Sequence, residues 1–327
     1  MNKKTKLEFI KTIVFYSLIA IVLYSCGAGN KEYFTVDYKN GDLGPSVEYE
    51  KNPSSAYISY DTIETIDLGN GTIQIIASGI RVMTKKRNYE ISKINIYEEY
   101  NKKFQIQNEF DNLTSSNKTD IAVVLVLDMS TSLGELVNDL KEYAKNFTDE
   151  IVNSTDESKV AVVFFSSRDD IVTTDFYDKR NSEILKLIID NFDTYKSRTA
   201  LFQATIAGIS LLDSLEFDGS KVIAIFTDGG DNDTDNPDLK LTEISSNEYL
   251  RITIGLEGED FREDDLNAIA SSKANAIIVS KSKNLEDAFK EMAKQIVSVY
   301  KVIYERSDQK LENPIEIKFE FEIDEIK

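Results

Sequence analysis

Apolar residues along this 327-residue chain follow two different periods, and the change between them near residue 112 divides it. From Ala56 to Phe110 they come in short alternating pairs: Ile58/Tyr60, Ile73/Ile75, Ile80/Val82, Ile94/Ile96 and Phe104/Ile106. Alternation turns one face of a strand to a core and the other to water. Asn70-Gly71, between two of these segments, predicts a hairpin, because both residues accept the positive φ of a tight turn. Residues 55–112 therefore read as a small β unit, closed by the polar break Asn112-Leu113-Thr114-Ser115-Ser116-Asn117.

Beyond the break the strands lose their polar face. The runs 121–127, 160–165, 222–226, 250–254 and 276–279 are almost wholly apolar. Strands buried on both faces have this composition. Between them lie helical patterns at 133–151, 184–192, 201–212, 266–270 and 285–299, the first with Leu136, Leu140, Tyr143, Ala144 and Phe147 on one face. Residues 171–176 read as an edge strand. Alternating β and α predicts an α/β fold over 119–299, a doubly wound and mostly parallel sheet covered on both sides.

The tail, 300–327, departs from that pattern. Ile315, Ile317, Phe319, Phe321 and Ile323 alternate with Glu316, Lys318, Glu320 and Glu322. A lone strand of this kind needs a sheet. Tyr300/Val302/Tyr304 are expected to pair with it as a hairpin that packs on the small β unit. The α/β domain would then sit within a discontinuous, β-sandwich-like unit.

At the front, Lys3, Lys4, Lys6 and Lys11 precede an apolar stretch from Ile13 to Tyr24. That stretch is shorter than the roughly 20 residues a membrane span requires, and reads as an export signal over 1–25. It ends Leu23-Tyr24-Ser25-Cys26-Gly27, which resembles the lipobox of bacterial lipoproteins, although Tyr24 is an uncommon residue there. The resemblance implies cleavage before Cys26 and a lipid on that residue, the only cysteine of the chain. Each buried methylene of such an anchor contributes about 0.8 kcal/mol. The implied location is a bacterial cell envelope, with the outer membrane or cell surface favoured. Residues 26–54, rich in Asn, Gly, Ser and Lys, read as a tether.

Charge and composition then remove whole classes of function. The net charge is −19, and loss of residues 1–25, with four Lys and one Glu, makes it −22. Such a chain repels nucleic acid. It contains no histidine, which excludes the Ser-His-Asp triad, imidazole bases and His-containing zinc sites.

Two of the apolar runs end in carboxylates. Residues 121–127 lead into Asp128-Met129-Ser130-Thr131-Ser132, and residues 222–226 into Thr227-Asp228-Gly229. Ligands of open α/β sheets bind outside the carboxyl ends of strands, at the point where strand order reverses. Two carboxylates brought together there repel unless a cation lies between them, and hydroxyl and carboxylate oxygens suit a hard divalent ion. Taken alone, the D-x-S-x-S string also fits a helix cap, with Ser132 just before Leu133.

With Thr199 opening a helix between them, Asp128-x-Ser130-x-Ser132 and Thr227-Asp228-Gly229 resemble the metal-ion-dependent adhesion site of von Willebrand factor type A domains. The likeness spans about 119–299 and includes Thr253-Ile254-Gly255 and Leu285-Glu286-Asp287-Ala288-Phe289. It implies a metal set of Asp128, Ser130, Ser132, Thr199 and Asp228. The hydroxyls would ligate, and the carboxylates would act directly or through water. Mg²⁺ is the expected ion, with Mn²⁺ or Ca²⁺ as alternatives. An open coordination position would take an acidic side chain of a protein partner. Family members often carry Gly-Gly before the threonine, and here Ser197-Arg198 stands instead. Arg198 reads either as a partner of the acidic loop 231–238 or as a residue that shapes ligand choice, and Arg198, Asp231 and Asp233 are the candidate ligand-rim residues. The acidic loop Asp231, Asp233, Asp235, Asp238 fails as an EF-hand, having Asn236 and Thr242 at the sixth and twelfth positions, and reads as a solvated rim.

The leading expectation is an envelope-anchored lipoprotein that binds a protein ligand through a metal site. A scaffold component whose metal is only structural is the alternative. No enzyme is expected: Ser130 stands where haloacid-dehalogenase phosphatases need a second Asp, and no phosphate-binding G-x-x-x-x-G-K-[ST] loop occurs.

Overall fold

The computed structural model describes residues 118–305 except 194 and 195, and outside that span only the strands named here. Cys26, the stretch 1–25 and Asn70-Gly71 lie outside the described residues. Seven strands precede the α/β domain: β1 Glu32–Lys39, β2 Ser46–Glu48, β3 Ala56–Ser59, β4 Thr62–Asp67, β5 Ile73–Thr84, β6 Tyr89–Tyr100 and β7 Lys103–Asp111. The α/β domain supplies β8 Ile121–Asp128, β9 Lys159–Phe165, β10 Ile171–Thr173, β11 Tyr177–Asp178, β12 Ser220–Thr227, β13 Leu250–Leu256 and β14 Ala276–Val279. Its helices are α1 Leu136–Val152, α2 Ser182–Asn191, α3 Leu201–Ser214, α4 Pro237–Ser246, α5 Glu263–Ile269 and α6 Leu285–Val297. The chain ends in β15 Val299–Glu305 and β16 Glu316–Glu325.

The central sheet has the order β10-β9-β8-β12-β13-β14, with β11 also paired to β9. Strands β9, β8, β12, β13 and β14 run parallel, while β10 and β11 are antiparallel additions at one edge. Every residue of β8 is buried. Ile121, Val123, Leu125 and Leu127 face one side, where Leu140, Ala144 and Phe147 of α1, Leu185 of α2 and Phe289 of α6 meet them. Ala122, Val124 and Val126 face the other, against Leu201 and Ile209 of α3, Ile244 of α4 and Ile269 of α5. This two-sided burial is the doubly wound α/β arrangement that the apolar runs imply. Strand order reverses between β8, which also pairs with β9, and β12, so the crevice for a ligand lies at their carboxyl ends.

Several boundaries differ from the sequence expectation. The first helix begins at Leu136 rather than Leu133, after a 3-10 turn at Thr131–Leu133. Met129 N–H donates to Phe165 O at 2.7 Å and Thr131 N–H to Lys196 O at 3.1 Å, which holds this segment in a loop. Gly134, at φ 52°, makes the turn into the helix where other residues would be strained. Helix α4 is absent from the sequence reading because Ile244 is its only buried residue, so no apolar stripe marks it.

The tail is corrected more substantially. Strands β15 and β16 do not form a hairpin with each other. Strand β15 pairs antiparallel with β5, in the sheet β15-β5-β3-β2, where β4 also joins β5. Strand β16 lies between β1 and β6 in a second antiparallel sheet, β1-β16-β6-β7. A hairpin would satisfy one edge of β16, whereas the central place in the second sheet satisfies both. Tyr300, Val302 and Tyr304 of β15 are buried, as are Ile75, Ala77 and Ile80 of β5. Residues 26–54 are not all tether either: β1 pairs with β16 along eight residues, Glu32 opposite Ile323 through Lys39 opposite Glu316, and β2 pairs with β3. Among the described residues, no helix is long and apolar enough to cross a membrane.

Candidate metal centre

Strands β8 and β12 are adjacent and in register, Phe226 opposite Leu127, so Asp128 and Asp228 leave the sheet side by side. Asp128 is fully buried. Its Oδ1 accepts the Ser130 N–H at 2.9 Å and its Oδ2 the Thr227 hydroxyl at 2.6 Å. The Ser130 and Ser132 hydroxyls are 2.8 Å apart, and Ser132 Oγ donates to Asp228 Oδ1 at 3.0 Å. One chain of hydrogen bonds thus joins Asp228 to Ser132 and Ser130. Ser132 caps no helix. Its hydroxyl turns to the carboxylate cluster, and the short turn that contains it has no side-chain cap bond.

Thr199 arrives from a different direction. It precedes α3, in a segment fixed by an Ala200 N–H bond to Ser166 O at 2.8 Å. Its hydroxyl packs on Gly229, where an added Cβ would lie 3.3 Å from Thr199 Oγ1. The structure therefore gathers all five expected residues into one cluster. Asp128, Ser130 and Thr199 form a buried wall, while Ser132 is exposed and Asp228 half-buried.

The electrostatics leave a charge unanswered. Burial, and then the neighbouring Asp228, push the Asp128 carboxyl up to about 7. Burial also pushes Asp228 above the usual carboxylate range, with Asp260 adding to it. Among the described residues no Lys or Arg is a cause of either shift. Two acids that are costly to ionise, facing small hydroxyls and lacking a counter-charge, fit a hard divalent cation. Among the described residues no three His, Cys, Asp or Glu side chains gather where they could hold a metal. A cation between Asp128 and Asp228 would thus take the rest of its shell from hydroxyls and water.

Of the candidate rim residues, Arg198 pairs with the acidic loop, as one reading of the sequence has it, while Asp231 and Asp233 do something else. Asp231 and Asp233 are not part of a solvated rim; both are buried. Asp231 Oδ2 accepts the Phe202 N–H of the first turn of α3 at 2.9 Å. Asp233 accepts the Arg168 N–H at 2.9 Å and Arg198 Nη1 at 2.6 Å. Local sequence marks only charge, and the partners lie 29 to 65 positions away. Arg198 stays 60% exposed while tied to that loop. Two further participants escaped the sequence reading as site residues. Thr227 holds Asp128, and its place in the Thr-Asp-Gly string was the available signal. Asn232 bonds to Thr199 in both directions, at 2.9 Å each way, and nothing in its spacing announces that.

Comparisons with known proteins identify the domain. The profile of the von Willebrand factor type A domain matches residues 122–291, just over half of the chain. No curated protein matches. Among solved structures, the chain is similar to proximal thread matrix protein 1 from the mussel byssus, described with a zinc occupied MIDAS motif. Identity there is 20%, over 58% of this chain and 49% of that one, with a TM-score of 0.48. It is also similar to the pilus adhesin SpaC from Lactobacillus rhamnosus GG, at 11% identity over 87% of this chain and 44% of that one, TM-score 0.48. A von Willebrand factor type A protein from Catenulispora acidiphila is 12% identical over 92% and 67%, TM-score 0.48. The chain spans about half the length of the mussel protein.

Proposed function

The chain belongs to the von Willebrand factor type A domain family, and on that premise we propose that it captures a protein ligand through a divalent cation at the carboxyl edge of its central sheet. The observation that carries this reading is the convergence of buried Asp128 with Asp228 at the ends of adjacent strands, with the Ser130 and Ser132 hydroxyls linked to them. Burial and the neighbouring acid both disfavour the ionised form of Asp128, and a divalent cation would offset both.

Asp128, Ser130, Ser132, Thr199 and Asp228 are the proposed ligands, with Mg²⁺ as the ion, or Mn²⁺ or Ca²⁺ in its place. When bound, the ion supplies an electrophilic position that an acidic side chain of a partner can fill. The protein's own part is to keep the hydroxyls aimed inward and Asp128 dry. With two protein carboxylates and a divalent ion the site is close to neutral, so it remains attractive to an incoming carboxylate. The site is a binding device and carries no catalytic group; no enzyme activity is proposed.

The proposed setting is a bacterial cell envelope, with a lipid on Cys26 tying the chain to a membrane, outer membrane or cell surface favoured. The net charge of −19 disfavours nucleic acid as the ligand.

Capture of partners from envelope and matrix extracts tests the reading, using the chain from Gly27 onward in Mg²⁺, in chelator and as Asp128→Ala. A partner seen only with metal and intact Asp128 supports it. Equal capture in all three conditions leaves the metal a structural role and sinks the adhesion reading.

A further inference from the structure

Four of the five proposed ligands sit at or just past strand ends: Asp128 is the last residue of β8, Ser130 and Ser132 lie two and four residues beyond it, and Asp228 follows β12. Thr199 has no such support. It lies between α2 and α3, in a loop segment held to its surroundings by hydrogen bonds.

Beside the Ala200 N–H bond to Ser166 O, the hydrogen bonds made by Thr199's own backbone go to the loop after Gly230. Thr199 N–H donates to Asn232 Oδ1 at 2.9 Å, and Asn232 N–H donates to Thr199 O at 2.9 Å. Both backbone groups of Thr199 are thereby used by one residue. Asn232 is itself fixed on either side. Asp231 accepts the Phe202 N–H at 2.9 Å, and Asp233 accepts the Arg168 N–H at 2.9 Å. Thr234 adds a bond from Gln203 N–H at 3.2 Å. The loop is therefore anchored to α3 on one flank and to the loop after β9 on the other, with Asn232 between them.

From this geometry we infer that Asn232 is the positioning residue for Thr199: it fixes the Thr199 backbone so that the hydroxyl stands over Gly229, facing the cation site. The inference rests on the metal reading above and extends it to a residue that would not touch the ion. Its requirement is a short side chain carrying an acceptor. Asp keeps that acceptor, and Ala removes it while leaving the bond from the residue 232 N–H intact. Partners that orient metal ligands typically contribute about 10- to 100-fold in metal affinity.

The test is Mg²⁺ and Mn²⁺ titration of the full chain by calorimetry, with the folded fraction of each variant checked by melting in chelator. Asn232→Ala is expected to weaken binding by about tenfold, and Asn232→Asp to bind at least as well as the natural chain. In Thr199→Ala the same Asn232→Ala change is expected to have no further effect, because its target hydroxyl is gone. Unchanged affinity in Asn232→Ala overturns the inference. So does an equal loss with and without Thr199, since Asn232 would then act through something else. Unchanged affinity in both Asp128→Ala and Thr199→Ala would overturn the metal reading itself, and this inference with it.

Discussion

Thr227 donates its hydroxyl to Asp128 across 2.6 Å, joining the ends of β12 and β8 beneath the candidate metal centre. The same oxygen accepts the Gly229 N–H at 3.1 Å, so it also fixes the turn that presents Asp228. Thr227→Val keeps the shape and removes both bonds. A buried carboxylate oxygen that loses its donor costs about 1–3 kcal/mol. The expected outcome in urea unfolding with chelator is a loss of that size at pH 8, where Asp128 is ionised. The loss should shrink at pH 5, where Asp128 carries its own proton. An equal loss at both values would mean that Thr227 supports the turn and not the carboxylate.

The raised Asp128 carboxyl gives a signed pH dependence for the metal-free protein. Its folded value is about 7 against an ordinary 3.8, so between those values the folded chain holds a proton that the unfolded chain releases. Stability from this group is therefore greatest at low pH and declines as pH rises toward 7. From pH 5 to pH 8 the natural chain should lose roughly 2 to 3 kcal/mol relative to Asp128→Asn, which cannot ionise. Denaturant unfolding of both proteins in chelator measures the difference. Parallel pH profiles would show that Asp128 is not the group responsible. Added Mg²⁺ should reverse the trend, stabilising the natural chain more at pH 8 than at pH 5 and leaving Asp128→Asn with little gain.

What was legible in the sequence follows from which interactions are local. The runs that become β8 and β12 are apolar because parallel strands bury both faces, and Asp128 and Asp228 stand out as the first charges after them. Their meeting was legible because strand order in such sheets places ligands at carboxyl ends. Asp231 and Asp233 were not legible as buried groups. Their burial depends on Phe202, Arg168 and Arg198, brought near only by the finished fold. Helix α4 hid because Leu239 is 64% exposed and only Ile244 is buried, though Pro237 in its first turn was a start signal. The destination of β16 was hidden for another reason. Its alternation shows that it needs a sheet, and the choice between β15 and the pair β1 and β6 is made by strands more than 200 positions away.

Gly229 separates Thr199 from the turn that carries Asp228. A Cβ there would come 3.3 Å from Thr199 Oγ1, closer than an easy contact, so Thr199 must move by a few tenths of an ångström. Gly229→Ala is expected to leave the fold in chelator nearly unchanged, within about 1 kcal/mol. The rise in melting temperature on adding Mg²⁺ should shrink, since a displaced hydroxyl loosens the proposed shell. A full metal-induced rise in Gly229→Ala would show that Thr199 tolerates the shift or does not ligate.

Asp233 and Arg198 separate the support of the loop from the choice of ligand. The Asp233 side chain is 3% exposed and holds the Arg168 N–H as well as Arg198, so Asp233→Ala takes the acceptor from both. A loss of about 1–3 kcal/mol is expected, with weaker metal binding because Asn232 stands next to it. Arg198 is 60% exposed, and an ion pair so open to water contributes at most about 1 kcal/mol. Arg198→Ala should therefore melt within a few degrees of the natural chain and bind Mg²⁺ normally. If Arg198 lies on the ligand path, as its place next to Thr199 suggests, partner capture should fall while metal binding holds. Unchanged capture would confine Arg198 to holding Asp233.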